Sequence, residues 1–351
     1  MNKFHGKKQL VIILVVILTT GILWKKFFTF EELEKDYSLL SYYYLTHRIT
    51  DPYPFTRDKI QALISYIHQN MFQPEVPVKD LRPLDNLIRG VGWCDQMSAV
   101  FIRLLSDIDI RGYLVFLKNN PDGSGFSPHT IAVITPSVKE ELGADTLFEK
   151  GLVVDNLRGE LAQTRDGSFA TMKDIAEGNI ALQQVKIFEA TAPLYRNKFQ
   201  IFGVNTPISL RIKKVKYAYR YYIFSIVPRP VVYAFQDFML QWYFKKGFKK
   251  ESDFLLFKAR NYHIYGRFDD AFKVYEEVIK NSPNNMNGEK ALIFQVRVLL
   301  KEGKNNEAIA LFESFIRKYP DHPWQNIMWN ELNDLLLTCS NSVNNESPWK
   351  Y

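Results

Sequence analysis

The chain has 351 residues, of which 46% are hydrophobic and 24% are charged, and these proportions are typical of a globular protein with two or three domains. They exclude a disordered, collagen-like or low-complexity chain. The formal net charge is +7, but positions 201–250 contain ten basic residues and one acid, which give +9 and leave the remaining chain slightly acidic.

Residues 10–24 form an uncharged apolar run, LVIILVVILTTGILW, with lysines on both sides. The run is short for a membrane span, but the lysine stems extend its apolar length. No small-residue cleavage site follows it, so we predict an uncleaved signal anchor in residues 1–30, with a cleaved signal peptide as the alternative. The purely basic N-terminal flank predicts a single-pass protein whose remaining chain is extracytoplasmic.

A helical linker is predicted over residues 31–54, and a second helix over residues 56–71. In the second helix the apolar residues recur at helical spacing on one face, and Thr56 is the predicted cap. These apolar residues are Ile60, Leu63, Ile64 and Ile67.

The stretch GVGWCDQMSA, residues 90–99, contains one of only two cysteines in the chain. Apolar residues follow Cys94 at i+3, i+6, i+7, i+10 and i+11, which predicts an amphipathic helix beginning at or just before the cysteine. The first turn of a helix places backbone N–H groups and a partial positive charge beside the thiol, and this setting favours the nucleophilic thiolate. A buried, unreactive cysteine is the alternative interpretation.

Three strands are predicted over 111–119, 129–135 and 152–156, with His129 at the start of the second and Asp155 near the end of the third. A cysteine, a histidine and a carboxylate are the set that thiol acyl transfer needs, as nucleophile, base and orienting group. Each has a structural alternative, since His129 follows a Ser-Pro pair at a strand entry and Asp155 precedes Asn156 in a predicted turn.

The order and setting of these residues resemble the transglutaminase-like superfamily, a papain-like group of cysteine acyltransferases and proteases. The features that match are a G-x-G-x-C stretch (Gly90, Gly92 and Cys94), small residues at 98 and 99, the leucine pair at 104 and 105, the strand entry IDIRGYLV, His129 and the sequence VVDN. The resemblance covers roughly residues 55–185. It implies an α+β fold in which the helix that bears the cysteine packs on an antiparallel sheet, with Cys94, His129 and Asp155 as the catalytic triad.

The chain departs from the superfamily pattern in two ways. Thr130 stands where an aromatic residue often follows the histidine. A second donor for the oxyanion, besides the Cys94 backbone N–H, is not identified, and Gln96, Asn86 and Trp93 are the alternatives. Amide hydrolysis, transamidation and loss of activity all occur on this fold, so the fold alone does not fix the reaction.

We therefore expect a transglutaminase-like domain in residues 55–190 that acts on amide bonds through a thioester, with a protein or peptide substrate and water as the favoured acceptor. The alternative is a catalytically inactive scaffold for envelope assembly or protein interaction. No metal or cofactor is predicted, because Cys94 and Cys339 are far apart in sequence and the six histidines are scattered.

Residues 191–250 are predicted to be a basic, aromatic-rich connector, with thirteen aromatic residues at 201–250. Tyrosine, tryptophan and lysine together are typical of a membrane interface. Packing of the aromatic residues against neighbouring helices is an equally weighted alternative. A second span at 221–244 is less favoured, because it would bury Arg229 and Asp237. Single-stranded nucleic acid also suits such a pattern, but the predicted anchor favours lipid and we predict no nucleic-acid partner.

The remaining chain contains an internal repeat. Gly266, Ala271, Tyr275 and Pro283 recur 37 positions later as Gly303, Ala308, Phe312 and Pro320. This spacing resembles tetratricopeptide repeats and predicts an all-α helical repeat domain over 251–340, followed by a tail at 341–351. Helices near 251–262 and 324–338 are predicted to cap the two copies. Such a domain either binds a protein partner or packs only on its neighbour.

Overall fold

The structure is a computed structural model that describes residues 30–73, 81–120, 122–125, 127, 129–135, 143–188, 191–202, 228–283 and 285–320. The predicted signal anchor, the predicted capping helix at 324–338 and the tail lie outside these residues, apart from the last position of the anchor. Within the described residues, no helix combines the length and the apolar character that a membrane crossing requires.

Four helices precede the sheet in the described part of the chain: α1 (Phe30–Thr50), α2 (Thr56–Asn70), α3 (Pro83–Arg89) and α4 (Cys94–Leu105). The apolar face predicted for α2 is buried, and α4 begins at the predicted residue. The predicted cap of α2 is wrong by one position. Phe55 occupies the N-cap position without a side-chain hydrogen bond, and Thr56 is the first helical residue.

The sheet has five strands: β1 (Arg111–Leu117), β2 (Thr130–Thr135), β3 (Leu152–Asp155), β4 (Glu160–Leu161) and β5 (Phe199–Phe202). Their order is β4-β3-β2-β1-β5, and every neighbouring pair is antiparallel. The predicted α+β class and antiparallel sheet are confirmed. Because side chains alternate between the two faces of a strand, β2 directs Ala132 and Ile134 to one core and Ile131 and Val133 to another.

Helices cover both faces of this sheet. The first core lies between the sheet and α1–α4. On the other face, Tyr113, Val115 and Val153 pack against the short helices α5 (Ala144–Lys150), α6 (Met172–Glu177), α7 (Val185–Phe188) and α8 (Ala192–Tyr195). Helix α4 is therefore held against the sheet by a continuous apolar face, and its first residue is fixed relative to the ends of β2 and β3.

The C-terminal part of the described chain is helical. Helix α9 (Arg229–Phe238) continues as a π-helical turn over Met239–Tyr243 and a 3₁₀ turn over Phe244–Gly247. Two hairpins follow, α10 (Glu251–Ile264) with α11 (Phe268–Asn281), and α12 (Met286–Lys301) with α13 (Asn305–Lys318).

The repeat read from the sequence coincides with these hairpins. Gly266 and Gly303 occupy the two turns with φ of 74° and 73°, which suits a residue without a Cβ. Ala271 and Ala308 are fully buried where the paired helices touch. The prediction that the helix near 251–262 caps the repeats is wrong, because α10 is the first helix of the first hairpin.

The repeats share a core with the domain that contains the sheet. Phe72 and Val91 pack into the apolar cluster of the repeats, and Arg297 lies over the ring of Phe72, with its guanidinium carbon 3.5 Å from the centroid. Arg260 donates hydrogen bonds to the carbonyls at the ends of α2 and α3. The loop that leads into Cys94 therefore lies directly against the repeats.

Candidate active site

Cys94 is the first residue of α4, and it is only 4% exposed. The preceding loop is tightly held. Gly90 ends α3 with φ of 74°, and Gly92 donates its N–H to the Phe72 carbonyl at 2.9 Å. A Cβ on Gly92 would lie 2.7 Å from the terminal methyl of Met71. The loop therefore presents the thiol at the positive end of a 12-residue helix.

His129 and Asp155 meet because β2 and β3 are antiparallel neighbours. The pairing of Ala132 with Val154 places the start of β2 beside the end of β3. His129 Nε2 lies 2.9 Å from Asp155 Oδ2, and both side chains are buried.

The Cys94 side chain is hydrogen-bonded to the His129 ring. Since Nε2 is the ring nitrogen beside Asp155, we infer that Nδ1 is the one that serves the sulfur. The Thr130 backbone N–H also donates to Cys94 Sγ, at 3.3 Å. The structure thus brings together all three residues that the sequence singled out, in one line from sulfur to imidazole to carboxylate.

The pKa of His129 reflects these neighbours. Burial is the largest single influence and lowers it, but the hydrogen bonds and charges of Asp155 and Cys94 together outweigh burial and raise the pKa from 6.5 to about 9. At neutral pH the ring is therefore mostly an imidazolium. Such a ring donates from both nitrogens, toward Asp155 and toward Cys94.

Asp155 is held on its other side by the turn that follows β3. The backbone N–H of Arg158 donates to Oδ1 at 3.3 Å, and Arg158 Nη1 lies 3.4 Å from Oδ2. The same guanidinium also donates to the Ile187 carbonyl. The buried Tyr195 hydroxyl has no hydrogen-bond partner among the described residues, and burial together with the charge of Asp155 raises its pKa well above the usual value. The carboxylate is thereby fixed in one orientation.

A second contact fixes α4 relative to β3. Asn156, the residue after Asp155, is buried and donates from Nδ2 to Ser98 Oγ at 3.3 Å. Ser98 lies one helical turn after Cys94. This hydrogen bond connects the element that carries the nucleophile with the element that carries the carboxylate.

The three alternatives for a second oxyanion donor differ in their contacts. Gln96 Oε1 accepts from Trp93 N–H at 3.2 Å and from Arg89 at 3.3 Å. Asn86 donates to the Leu81 carbonyl and accepts from Arg89. Trp93 Nε1 is buried without a hydrogen-bond partner among the described residues. The indole N–H of Trp93 is therefore a candidate donor, while the contacts above involve the oxygen of Gln96 and one donor bond of Asn86.

The sequence did not predict these contacts of Thr130, Asn156 and Arg158. Two of them immediately follow a triad residue, and Arg158 stands three positions after Asp155, the spacing at which a turn brings a side chain back to its start. This D-x-x-R spacing is the one signal that points to Arg158. Among the described residues, no group of three or more His, Cys, Asp or Glu side chains is arranged to hold a metal ion.

The geometry defines an α+β domain with a buried Cys-His-Asp line, joined to helical hairpins. Residues 295–322 match the tetratricopeptide repeat family, and this match covers the end of α12 and all of α13. The predicted repeat is confirmed there, and it indicates a role in protein–protein interaction. Comparisons of the chain with curated proteins and with solved structures give no match.

Proposed function

We propose that the chain is a thiol-dependent amide hydrolase or acyltransferase of the transglutaminase-like type, with Cys94, His129 and Asp155 as its triad. The observation that carries this proposal is the unbroken hydrogen-bonded line from Cys94 through His129 to Asp155 at the N-terminus of α4. The order of the triad along the chain, with Cys94 at the start of α4, His129 just before β2 and Asp155 at the end of β3, also agrees with the resemblance in sequence.

In the proposed reaction the Cys94 thiolate attacks the carbonyl carbon of a carboxamide, and the negative charge moves to the carbonyl oxygen. The His129 imidazolium then gives its Nδ1 proton to the departing nitrogen, and the C–N bond breaks to leave a thioester. Neutral His129 next takes a proton from water, and the resulting hydroxide attacks the thioester. Breaking of the C–S bond releases the carboxylic acid and restores the thiolate beside the charged ring.

The oxyanion of each tetrahedral intermediate needs donors near Cys94. The Cys94 backbone N–H at the helix start is the first, and we assign the second to Trp93 Nε1, whose N–H is buried and unmatched. Removing one donor of this kind typically lowers kcat by about 10² to 10³. Trp93→Phe, which retains a smaller aromatic ring but not the N–H, is the matching variant.

The acceptor is proposed to be water, because no feature of the sequence marks an amine site. A peptide or an amidated envelope component is the proposed substrate class. The protein is further proposed to be membrane-anchored through residues 10–24, with the triad on the extracytoplasmic side. Protease added to cells stripped of the envelope layers outside the cytoplasmic membrane should then degrade the globular part, whereas complete protection of that part would contradict the orientation.

The proposal is tested by the rate of Cys94 alkylation with iodoacetamide between pH 5 and 9, on the full chain in detergent. A Cys339→Ser background makes Cys94 the reporting thiol, and unfolding in urea gives the total. We expect alkylation that persists below pH 7 and falls strongly in His129→Ala. His47→Ala, at a surface histidine paired with Asp51, is the matched control and should leave the profile unchanged.

One observation favours a second function. Cys94 is almost fully buried, and a repeat that indicates protein interaction lies on the same chain. A non-catalytic assembly factor would have a structural thiol and would use the repeats to bind its partner. If Cys94 is alkylated only after unfolding, at the same rate in both histidine variants, the enzyme is excluded and this second function stands.

A further inference from the structure

The turn after β3 carries an arginine beside the carboxylate of the Cys-His-Asp line. Strands β3 and β4 form a hairpin in which Asp155 pairs with Glu160, so Arg158 lies in the turn between them. Gly159 completes this turn with φ of 71°, and a Cβ at that position would lie 3.0 Å from the His68 ring of α2. The turn is therefore packed against α2, and the backbone of Arg158 is fixed relative to Asp155.

Arg158 contacts both oxygens of the Asp155 carboxylate. Its backbone N–H donates to Oδ1 at 3.3 Å, and its Nη1 lies 3.4 Å from Oδ2. Oδ2 is also the oxygen that lies 2.9 Å from His129 Nε2. One oxygen is thus held by the backbone of the turn, and the other is shared between two cationic side chains. A rotation of the carboxylate that took Oδ2 away from His129 would also break both contacts with Arg158.

The guanidinium of Arg158 is itself held from outside the hairpin. The same Nη1 donates to the Ile187 carbonyl of α7. The next residue, Phe188, is buried in the core between the sheet and α5–α8. The Arg158 side chain is 33% exposed, whereas the Asp155 side chain is fully buried. Two separate elements, the β3–β4 turn and α7, therefore determine where the positive charge lies beside the buried carboxylate.

A third titratable group, on α8, lies near the same carboxylate. The Tyr195 hydroxyl is buried and makes no hydrogen bond among the described residues. Burial and the charge of Asp155 raise the pKa of Tyr195 well above its usual value, so the hydroxyl stays neutral, although the charge of Arg158 opposes this shift. The charged partners of Asp155 in the described structure are therefore His129 and Arg158.

We propose that Arg158 is a positioning residue for the triad, which holds the Asp155 carboxylate with Oδ2 toward His129. The inference rests on the proposed function, because the carboxylate orients the imidazole that serves Cys94. Arg158 acts through Asp155, and the Ile187 carbonyl keeps its guanidinium in place for this role.

The alternative role for Arg158 is neutralisation of a buried charge, since a buried carboxylate needs a partner. The two roles predict opposite shifts at His129. If Arg158 supplies only charge, its removal leaves one positive charge fewer near the imidazole, and the pKa of His129 rises. If Arg158 positions the carboxylate, its removal weakens the hydrogen bond from Asp155 that raises this pKa against the effect of burial, and the pKa falls.

The experiment follows the titration of His129 in the full chain in detergent, by NMR of histidine labelled with ¹³C at ring position Cε1. The His129 resonance is identified by its absence in His129→Gln. Arg158→Gln removes the charge and the fork, whereas Arg158→Lys keeps the charge but not the planar fork. Arg165→Gln is the matched control, because Arg165 lies exposed in the same domain and donates to the Gly178 carbonyl at 3.2 Å. Unfolding of each variant in urea is measured first, so that the titrations compare folded proteins.

In the wild-type chain we expect His129 to titrate with a pKa of about 9. In Arg158→Gln this pKa should fall by about one unit or more, since an opposite charge beside a group shifts its pKa by about 1 to 3 units. The rate of Cys94 alkylation at pH 6 should fall toward that of His129→Ala. Arg158→Lys should recover part of both losses, and Arg165→Gln should leave both measurements unchanged.

The outcomes separate this inference from the proposed function. A His129 pKa that is unchanged or raised in Arg158→Gln, in a chain whose Cys94 still reacts, would overturn the positioning role alone. A wild-type Cys94 that reacts only after unfolding would overturn the proposed function and the positioning role with it. If Arg158→Gln does not fold, Arg158→Lys decides: a His129 pKa below that of wild type supports the inference, and one equal to wild type overturns it.

Discussion

Replacing Arg260 with Ala should uncouple the repeats from the loop that leads into Cys94. Arg260 is 1% exposed, and its guanidinium reaches from α10 to the ends of two other helices. Nε donates to the Ile88 carbonyl at 3.0 Å, and Nη2 donates to those of Leu87 at 3.1 Å and Asn70 at 2.9 Å. The guanidinium carbon lies 3.9 Å from the centroid of the Phe294 ring. One side chain thus caps α2 and α3 with a positive charge, where the helix dipoles favour it.

The cost of the substitution follows from these contacts. Each charge-assisted hydrogen bond contributes about 1.5 to 3 kcal/mol, and a buried carbonyl left unpaired costs about 1 to 3 kcal/mol. Water that enters the vacated space would satisfy part of this demand. We therefore expect a loss of about 4 kcal/mol in the free energy of unfolding, since water recovers part of the summed hydrogen bonds. Arg260→Lys retains the charge but not the planar fork, so it should recover only part of the loss.

The assay is urea unfolding of the full chain in detergent, followed by far-ultraviolet circular dichroism. Arg317→Ala is the matched control, because Arg317 is 71% exposed and its contact with Glu313 is a 3.7 Å surface pair. That control should change the free energy of unfolding by less than about 0.5 kcal/mol. A loss below about 1 kcal/mol for Arg260→Ala would refute the reasoning, since it would mean that the three carbonyls do not depend on the guanidinium.

The same variant also tests the connection to Cys94. Phe312→Ala removes a buried ring from α13, away from the loop, and should cost a similar 3 to 5 kcal/mol. Under native conditions we expect Arg260→Ala to change the rate of Cys94 alkylation more than Phe312→Ala does. Equal rates in the two variants would show that the loop responds only to overall stability.

Two further predictions concern the site and its loop. Asp155→Asn removes the main group that raises the pKa of His129 from 6.5 to about 9, and this shift is worth about 3 kcal/mol. Charged His129 stabilises the folded state fully below pH 6.5 and no longer above about pH 9. The difference in the free energy of unfolding between wild type and Asp155→Asn, measured in urea, should therefore narrow across that window. A constant difference would contradict the pairing of charged His129 with Asp155. Gly90→Ala places a Cβ 2.6 Å from the Phe294 ring at φ of 74°, whereas Gly178→Ala, at φ of 77°, meets open space. We expect Gly90→Ala to cost at least about 1 kcal/mol more than Gly178→Ala in the same assay, because both carry the backbone penalty and only the first carries the clash.

The sequence predicted the elements that local periodicity determines. The apolar spacing after Cys94 predicted α4 from its first residue, because the apolar positions of that helix recur at helical spacing even though nearly all of its residues are buried between the sheet and the preceding helices. The strands β2 and β3 were predicted from short apolar runs, although β2 begins at Thr130 and leaves His129 just before the strand. The prediction that His129 and Asp155 lie close together came from the resemblance to a known superfamily. The antiparallel pairing of β2 with β3 accounts for that meeting physically.

The parts that the sequence did not predict depend on contacts between distant positions. The sequence predicts a cap near 251–262 because two repeat copies are fewer than a stable solenoid needs. In the structure the buried residues of α10 do not form a single stripe. Phe254, Ala259, Tyr262 and Ile264 are all buried, since α10 lies between its hairpin partner and the helices of the other domain. Likewise, Arg260 bonds to residues more than 170 positions away, and no local pattern indicates such a partner. The membrane anchor, which falls outside the described residues, stays a prediction.

The enzyme and the assembly factor can be distinguished at the short loop before Cys94, because the loop has a different role in each. Residues 90–93 connect a helix end that Arg260 caps with a helix start that carries Cys94. If the thiol is a nucleophile, the loop sets its position relative to His129, and a displacement too small to unfold the chain changes alkylation. If the thiol is only a core side chain, the loop matters through stability alone. The face of the repeats that packs on this loop is occupied by the chain itself, through Phe72 and Val91. A partner protein must therefore bind the repeats elsewhere or displace the loop. Displacement of the loop would change the rate of Cys94 alkylation.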